Sequence, residues 1–116
     1  MLGTAGDRPY SRALRPALNA MHADPSHPWT LAELALRANL SRSSFAVAFR
    51  AAVQQTPGEY LTAWRMSVAQ DRLRHSDPLK RIHAQVGYHS AAAFSRVFKQ
   101  HVGLAPRDWL RQHRQN

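Results

Sequence analysis

After its capping Ser90, the stretch to Gly103 sets one serine, one arginine and one lysine on a helix that is otherwise small or apolar along much of its length. Phe94 and Phe98, four residues apart, define a buried face, so Ala91, Ala92, Ser95, Arg96 and Lys99 fall on or near the other side. About two turns into that helix, the Arg96 guanidinium is placed to donate two hydrogen bonds to O6 and N7 of a guanine edge. The alanines favour the helix and let its backbone approach a groove closely. They also offer methyl groups to a thymine methyl, but they donate nothing. The same cations would equally well solvate an exposed face, the ordinary role of surface arginine and lysine. A guanine-reading role therefore requires a scaffold that aims them.

Other chemistries find less support. Seven histidines invite a metal reading, but they, His22, His27, His83, His89, His101 and His113 among them, show neither an HExxH nor a Cys-His spacing. No metal ligand set is expected. No glycine-rich phosphate loop is present, and Glu33, Glu59 and Asp108 occupy helix-capping positions, so no cofactor and no catalytic residue are expected. The absence of cysteine excludes disulfides and thiolate sites.

A chain of 116 residues suits one compact unit or two very small ones. Sixteen Lys and Arg against seven Asp and Glu give +9, with a pI near 11.5. That balance predicts a polyanionic partner, and nucleic acid, a membrane surface or a merely soluble basic face are all open on charge alone. The longest apolar runs are far too short to span a membrane, and "MLGTAGDRPYSR" lacks the apolar core of a signal peptide. No membrane partner is expected, and the cytoplasm is the expected location.

The elements that must position these residues are all helical, since no stretch alternates like a strand. Residues 1–9 have almost nothing to bury and read as a disordered tail or linker remnant. A first helix is expected from near Arg12 to His22, with Pro16 in its first turn, where proline is tolerated. Thr30 to Glu33 form a capping box, Ser41 caps a second short helix with Phe45 and Phe49 inward, and Thr56-Pro57-Gly58-Glu59 opens a long one. The long helix runs to about His75, with Tyr60, Leu61, Trp64, Val68 and Leu73 as its apolar positions. Asp77-Pro78 is expected to open the next helix in the same way. Ser90 caps another, and Pro106 starts a last one with Trp109 inward. The reading is an all-α chain of about seven helices.

Comparing the halves reveals a repeat. Ser41, Phe45, Phe49, Val53, Pro57, Tyr60 and Leu61 recur 49 positions later as Ser90, Phe94, Phe98, Val102, Pro106, Trp109 and Leu110. Upstream, Leu34 and Leu40 match Ile82 and Tyr88 at a spacing of 48, because the second turn is one residue longer. Each copy is a short helix, a tight turn and a second helix, which is a helix-turn-helix arrangement. Such pairs also occur in helical bundles that bind no DNA.

"IHAQVGYHSAAAFSRVFKQHVGLAPRDWL" resembles the signature region of the AraC/XylS family of bacterial transcription regulators. "WTLAELALRANLSRSSFAVAFRAAVQQTPGEYLTAWRM" is similar to that family's first helix-turn-helix and connecting helix. The likeness covers roughly Leu14 to the end. It implies two helix-turn-helix subdomains, at 10–55 and 77–116, joined by a connecting helix over 56–76. It also implies recognition helices at about 41–53 and 90–101 that enter successive major-groove segments of double-stranded DNA. In many members such a domain follows an effector-binding or dimerisation domain, and "MHADPSHPWTLAEL" looks like members with a cupin-like N-terminal domain. A partial chain is therefore expected. Besides DNA, the likeness brings in RNA polymerase and that missing N-terminal domain as further candidate partners.

By this resemblance Ala92, Ser95, Arg96 and Lys99 face DNA. In the first copy the outward positions are Arg42, Ser43, Ala46, Val47 and Arg50. Ala46 and Val47 stand where the family often has long polar residues, which weakens base readout there. Phosphate contacts are expected from helix starts and cations, namely Thr30, Ser41, Arg50, Lys80, Arg81, His89 and Ser90. Gly87 and Asn39 are expected in left-handed turn conformations. His83, at the place of Ala35 and of a usual family alanine, is expected to be buried at the helix junction. A nonspecific nucleic-acid-binding protein and a basic helical interaction module are the alternative functions.

Overall fold

Seven helices, with no strand, make up residues 9–114, the part of the chain that the computed structural model describes. They are α1 (Pro9–Ala23), α2 (Leu31–Arg37), α3 (Arg42–Val53), α4 (Pro57–Arg74), α5 (Leu79–Gln85), α6 (Ala91–Val102) and α7 (Pro106–Arg114). Residues 1–8, most of the expected tail, lie outside the described residues. The chain divides into two units, 1–61 and 62–116, so α4 begins in the first and continues through the second.

Caps written in the sequence start several helices. Thr30 Oγ1 accepts from the Glu33 amide at 3.1 Å while Glu33 Oε1 accepts from the Thr30 amide at 3.0 Å, a reciprocal box that opens α2. Thr56 and Glu59 repeat it at α4, at 3.1 and 2.9 Å. Ser41 and Ser90 accept from the amides of Ser44 and Ala93, each at 3.1 Å, and so fix where α3 and α6 begin.

Each unit has its own core. In the first, Leu14, Ala17 and Met21 of α1 pack with Leu34 and Ala35 of α2, Phe45, Ala48 and Phe49 of α3, and Leu61. In the second, Met66, Ala69 and Leu73 of α4 pack with Ile82 of α5, Val86, Phe94 and Phe98 of α6, and Trp109 of α7. The aromatic contacts match: Phe49 meets Tyr60 edge-on at 5.7 Å and 74°, and Phe98 meets Trp109 at 5.9 Å and 77°. The repeat thus extends further than the 49-residue spacing shows. Leu14, Ala17 and Met21 correspond to Met66, Ala69 and Leu73 at a spacing of 52, so the later part of α4 plays the role of α1. Even the polar lid recurs, since His22 bonds the Tyr60 hydroxyl and Arg74, 52 positions on, lies over Trp109 at 5.7 Å.

Some expectations need correction. α1 starts at Pro9 rather than near Arg12, which puts Pro16 inside the helix. An internal proline removes one helix bond and costs about 3 kcal/mol, and buried Leu14, Ala17 and Met21 on both sides of it offset that cost. Asp77 does not cap α5. The cap position is Pro78, which has no side-chain cap bond, and the Asp77 carboxylate instead lies 3.7 Å from Arg72. Trp64 is half-buried, while Met66 and Ala69 fill the core face of α4. His83 is also half-buried. Its Nδ1–H donates to the Tyr88 carbonyl at 3.0 Å, and the Tyr88 amide donates to the His83 carbonyl at 2.8 Å, so the ring braces the turn from outside.

Candidate nucleic-acid interface

Both helix-turn-helix turns pivot on a left-handed residue, Asn39 (φ 59°) and Gly87 (φ 89°). In each, an amide reaches back across the turn: Leu40 to the Ala35 carbonyl at 3.0 Å and Tyr88 to that of His83 at 2.8 Å. Tyr88 then packs on Phe94, with ring centroids 5.9 Å apart, and the Arg65 guanidinium lies over the Tyr88 ring at 5.6 Å. Burial pushes the Tyr88 phenol above its usual range, and Arg65 partly opposes that shift. These contacts fix the angle at which α6 leaves the turn, despite the extra residue His89.

With Phe45, Ala48 and Phe49 buried, Val47 occupies the middle of the exposed face of α3. At 100° per residue, Ser43 and Arg50 lie to one side of it and Ser44 and Ala51 to the other. Val47 is 70% exposed. A shallow depression beside it is lined by Ser43, Ser44, Val47, Ala48 and Ala51, all short side chains. Arg42 is exposed in the first turn, and Ala46 is half-buried on the flank. Arg50 is exposed and lies 3.7 Å from Glu59, a surface pair of small energetic weight.

On α6 the middle of the exposed face is Arg96, 49 positions after Val47 and opposite buried Phe94 and Phe98. Ala92 and Lys99 are exposed to one side of it, and Ser95 is half-buried on the flank. Arg96, Lys99 and Arg42 form no ion pair among the described residues. Sequence reasoning missed Gln100, exposed four residues after Arg96 on the same edge. That i, i+4 spacing was the available signal, and a glutamine amide can pair with an adenine edge.

The expected phosphate contacts are all exposed but differ in their commitments. His89 and Ser90 stand together at the start of α6, and Ser41 is at the start of α3. Lys80 and Arg81 lie in the first turn of α5. Thr30 is engaged with Glu33 through both hydroxyl and amide. The arginines of α4 turn inward to their own unit: Arg65 over Tyr88, Arg72 to Gln85 at 3.2 Å, and Arg74 over Trp109. Among the described residues no helix is long and apolar enough to cross a membrane, and no group of three His, Asp or Glu residues is placed to hold a metal ion.

Two helix-turn-helix units in one chain, each with a capped and outward-facing second helix, define a duplicated helix-turn-helix protein. The family model described as a helix-turn-helix domain matches residues 34–112, and the chain belongs to the AraC-type helix-turn-helix family. A Streptomyces antibioticus protein named as an AraC-like transcription regulator is 48% identical over 98 residues, covering 84% of this chain and 32% of that protein. The chain spans about a third of the length of the curated relatives it matches. Among solved structures, a DNA-binding transcriptional dual regulator of Escherichia coli K-12 superposes with a TM-score of 0.80 at 26% identity, over 90% of this chain and 94% of that one. The DNA-binding domain of AdpA, a global transcriptional factor solved with a target DNA, shares the fold at a TM-score of 0.82 and 24% identity, over 88% and 93% of the two chains.

Proposed function

We propose that this chain binds double-stranded DNA sequence-specifically as the reading part of a transcription regulator, with α3 and α6 entering successive major-groove segments of one duplex. The observation that carries this is the pairing of two serine-capped helices whose exposed faces centre on equivalent residues, Val47 and Arg96. The regulator names of its relatives agree with it.

Arg96 is the principal reader, with Ala92, Ser95, Lys99 and Gln100 around it. Arg42, Ser43, Ala46 and Val47 face bases in the first segment. Ser41, His89 and Ser90 hold phosphates at helix starts, and Arg50, Lys80 and Arg81 do so by charge. Thr30 is the weakest of these contacts because Glu33 already occupies it. The subdomains are 10–55 and 77–116, with 56–76 connecting them. The protein works in the cytoplasm without catalysis of its own, and a preceding effector-binding or dimerisation domain and RNA polymerase are its further partners.

Selection of bound sequences from a randomised duplex tests the reading. Arg96→Ala is expected to flatten preference at one or two base pairs, since a bidentate contact discriminates by about 1–3 kcal/mol. Arg50→Ala is expected to weaken selected and random duplexes by similar factors. Equal affinity of the unaltered chain for selected and random duplexes would leave a nonspecific binder, and no binding to either would leave an interaction module.

A further inference from the structure

Val47 presents a branched apolar side chain, 70% exposed, at the centre of a face where Ser43, Ser44 and Ala51 are small and the one long neighbour, Arg50, lies 3.7 Å from Glu59. An isolated exposed valine would be unremarkable, but this one occupies the register position that Arg96 holds in the second unit. Helix start, buried phenylalanines and left-handed end all correspond: Ser41 with Ser90, Phe45 and Phe49 with Phe94 and Phe98, and Gln54 (φ 68°) with Gly103 (φ 102°). A side chain at this position meets base edges if either helix does.

Val47 has no donor or acceptor, so it cannot distinguish bases by hydrogen bonding. The only base-edge group in the major groove that an isopropyl group recognises by contact is the C5 methyl of thymine. The shallow depression formed with Ser43, Ser44, Ala48 and Ala51 gives such a methyl a place to sit without steric conflict. Ser43 and Ser44 sit at its edge and can adapt as donor or acceptor to the neighbouring base.

We infer that Val47 is a specificity-determining residue that reads a thymine C5 methyl, so that the first unit selects thymine at the step where the second selects guanine through Arg96. This rests on the DNA-binding reading above. It makes the bound site directional, with a methyl-read segment and a guanine-read segment in fixed order.

The test uses the whole chain and its selected duplex, with each thymine replaced in turn by deoxyuridine, which keeps the pairing and removes only the methyl. One replacement is expected to weaken binding about fourfold, the factor that corresponds to burying one methyl-sized group. Val47→Ala is expected to bind the unmodified duplex with a similar loss and to be insensitive to that replacement, while Arg96→Ala stays sensitive to it. Because Val47 is on the surface, Val47→Ala should keep the helical circular dichroism and melting temperature, which separates a contact effect from misfolding. Unchanged affinity at every replaced thymine, or a Val47→Ala protein as sensitive as the unaltered one, would overturn the inference while leaving the function standing. Loss of all preference between selected and random duplexes in the unaltered chain would overturn the function itself.

Discussion

Glu33 and Glu59 do the same work at the starts of α2 and α4, and both carboxyls are held below the usual range. For Glu33 the larger cause is the bond to His27 at 2.9 Å, followed by the Thr30 amide; for Glu59 it is the Thr56 amide. A carboxyl with a lowered folded pKa binds fewer protons folded than unfolded. Its stabilisation is therefore complete above the unfolded value, about 4.3, and is lost as pH falls through the lower folded value. Thermal melts below about pH 4.5 should show this decline, and Glu33→Gln, which can still close the box, should make it shallower. An unchanged acid profile in that variant would show that the decline arises elsewhere. Gly87 and Gly103 provide a second contrast at this scale. Alanine at either would incur the left-handed penalty of about 1–2 kcal/mol. At Gly103 its Cβ meets nothing within 4 Å, whereas at Gly87 it comes within 2.9 Å of the Arg65 guanidinium. In denaturant titrations Gly87→Ala should therefore lose more than Gly103→Ala, because it also displaces Arg65 from Tyr88. Equal losses would mean that Arg65 contributes nothing to the turn.

At the scale of the helices, the aromatic pairs Phe49–Tyr60 and Phe98–Trp109 tie α3 and α6 each to the proline-started helix that follows it. Phe98→Ala should cost about 3–5 kcal/mol, the usual range for a fully buried phenylalanine. Hydrogen exchange should accelerate in α5, α6 and α7 while α3 stays protected by its own core; uniform acceleration through α3 would contradict two separate cores. The elements that could be read from sequence were those governed locally. Thr30, Ser41, Thr56 and Ser90 cap within three residues of themselves, so their signals are complete in a short window. The elements misread depend on distant partners. α1 tolerates Pro16 because its face is buried by α2 and α3. The kinship of α1 with α4 was hidden by spacing: thirteen positions separate Met21 from Leu34 but nine separate Leu73 from Ile82, which breaks the 49-residue register. On the candidate interface, the centres of both faces were legible because phenylalanines fixed the opposite side. The half-burial of Ala46 and Ser95 was not, since it depends on how neighbouring helices crowd the flank.

For the whole molecule, charge is divided unequally between the two units. Residues 1–61 hold six Lys and Arg against four Asp and Glu, a net of +2, whereas residues 62–116 hold ten against three, a net of +7. On the proposed DNA-binding function, the second unit is expected to supply most of the long-range attraction to the duplex, with the first unit's encounter made intramolecular by the continuous chain. If α3 and α6 both read DNA, one chain already provides the duplication that a simple repressor obtains by dimerising, so one chain per minimal site is expected. If Arg50, Lys80 and Arg81 each neutralise one phosphate, these three contacts should make the logarithm of affinity fall with the logarithm of salt concentration at a slope of about −3. Neutralising Lys80 and Arg81 together should reduce that slope by about two and slow association, whereas Arg50→Ala should reduce it by about one. Sedimentation of the complex, combined with titrations at several salt concentrations, checks both parts. A strict requirement for two chains per minimal site would rule out the single-chain arrangement. A slope unchanged by the Lys80 and Arg81 substitutions would remove α5 from the interface and leave the charge of the second unit to be accounted for by Arg96, Lys99 and the cations of α7.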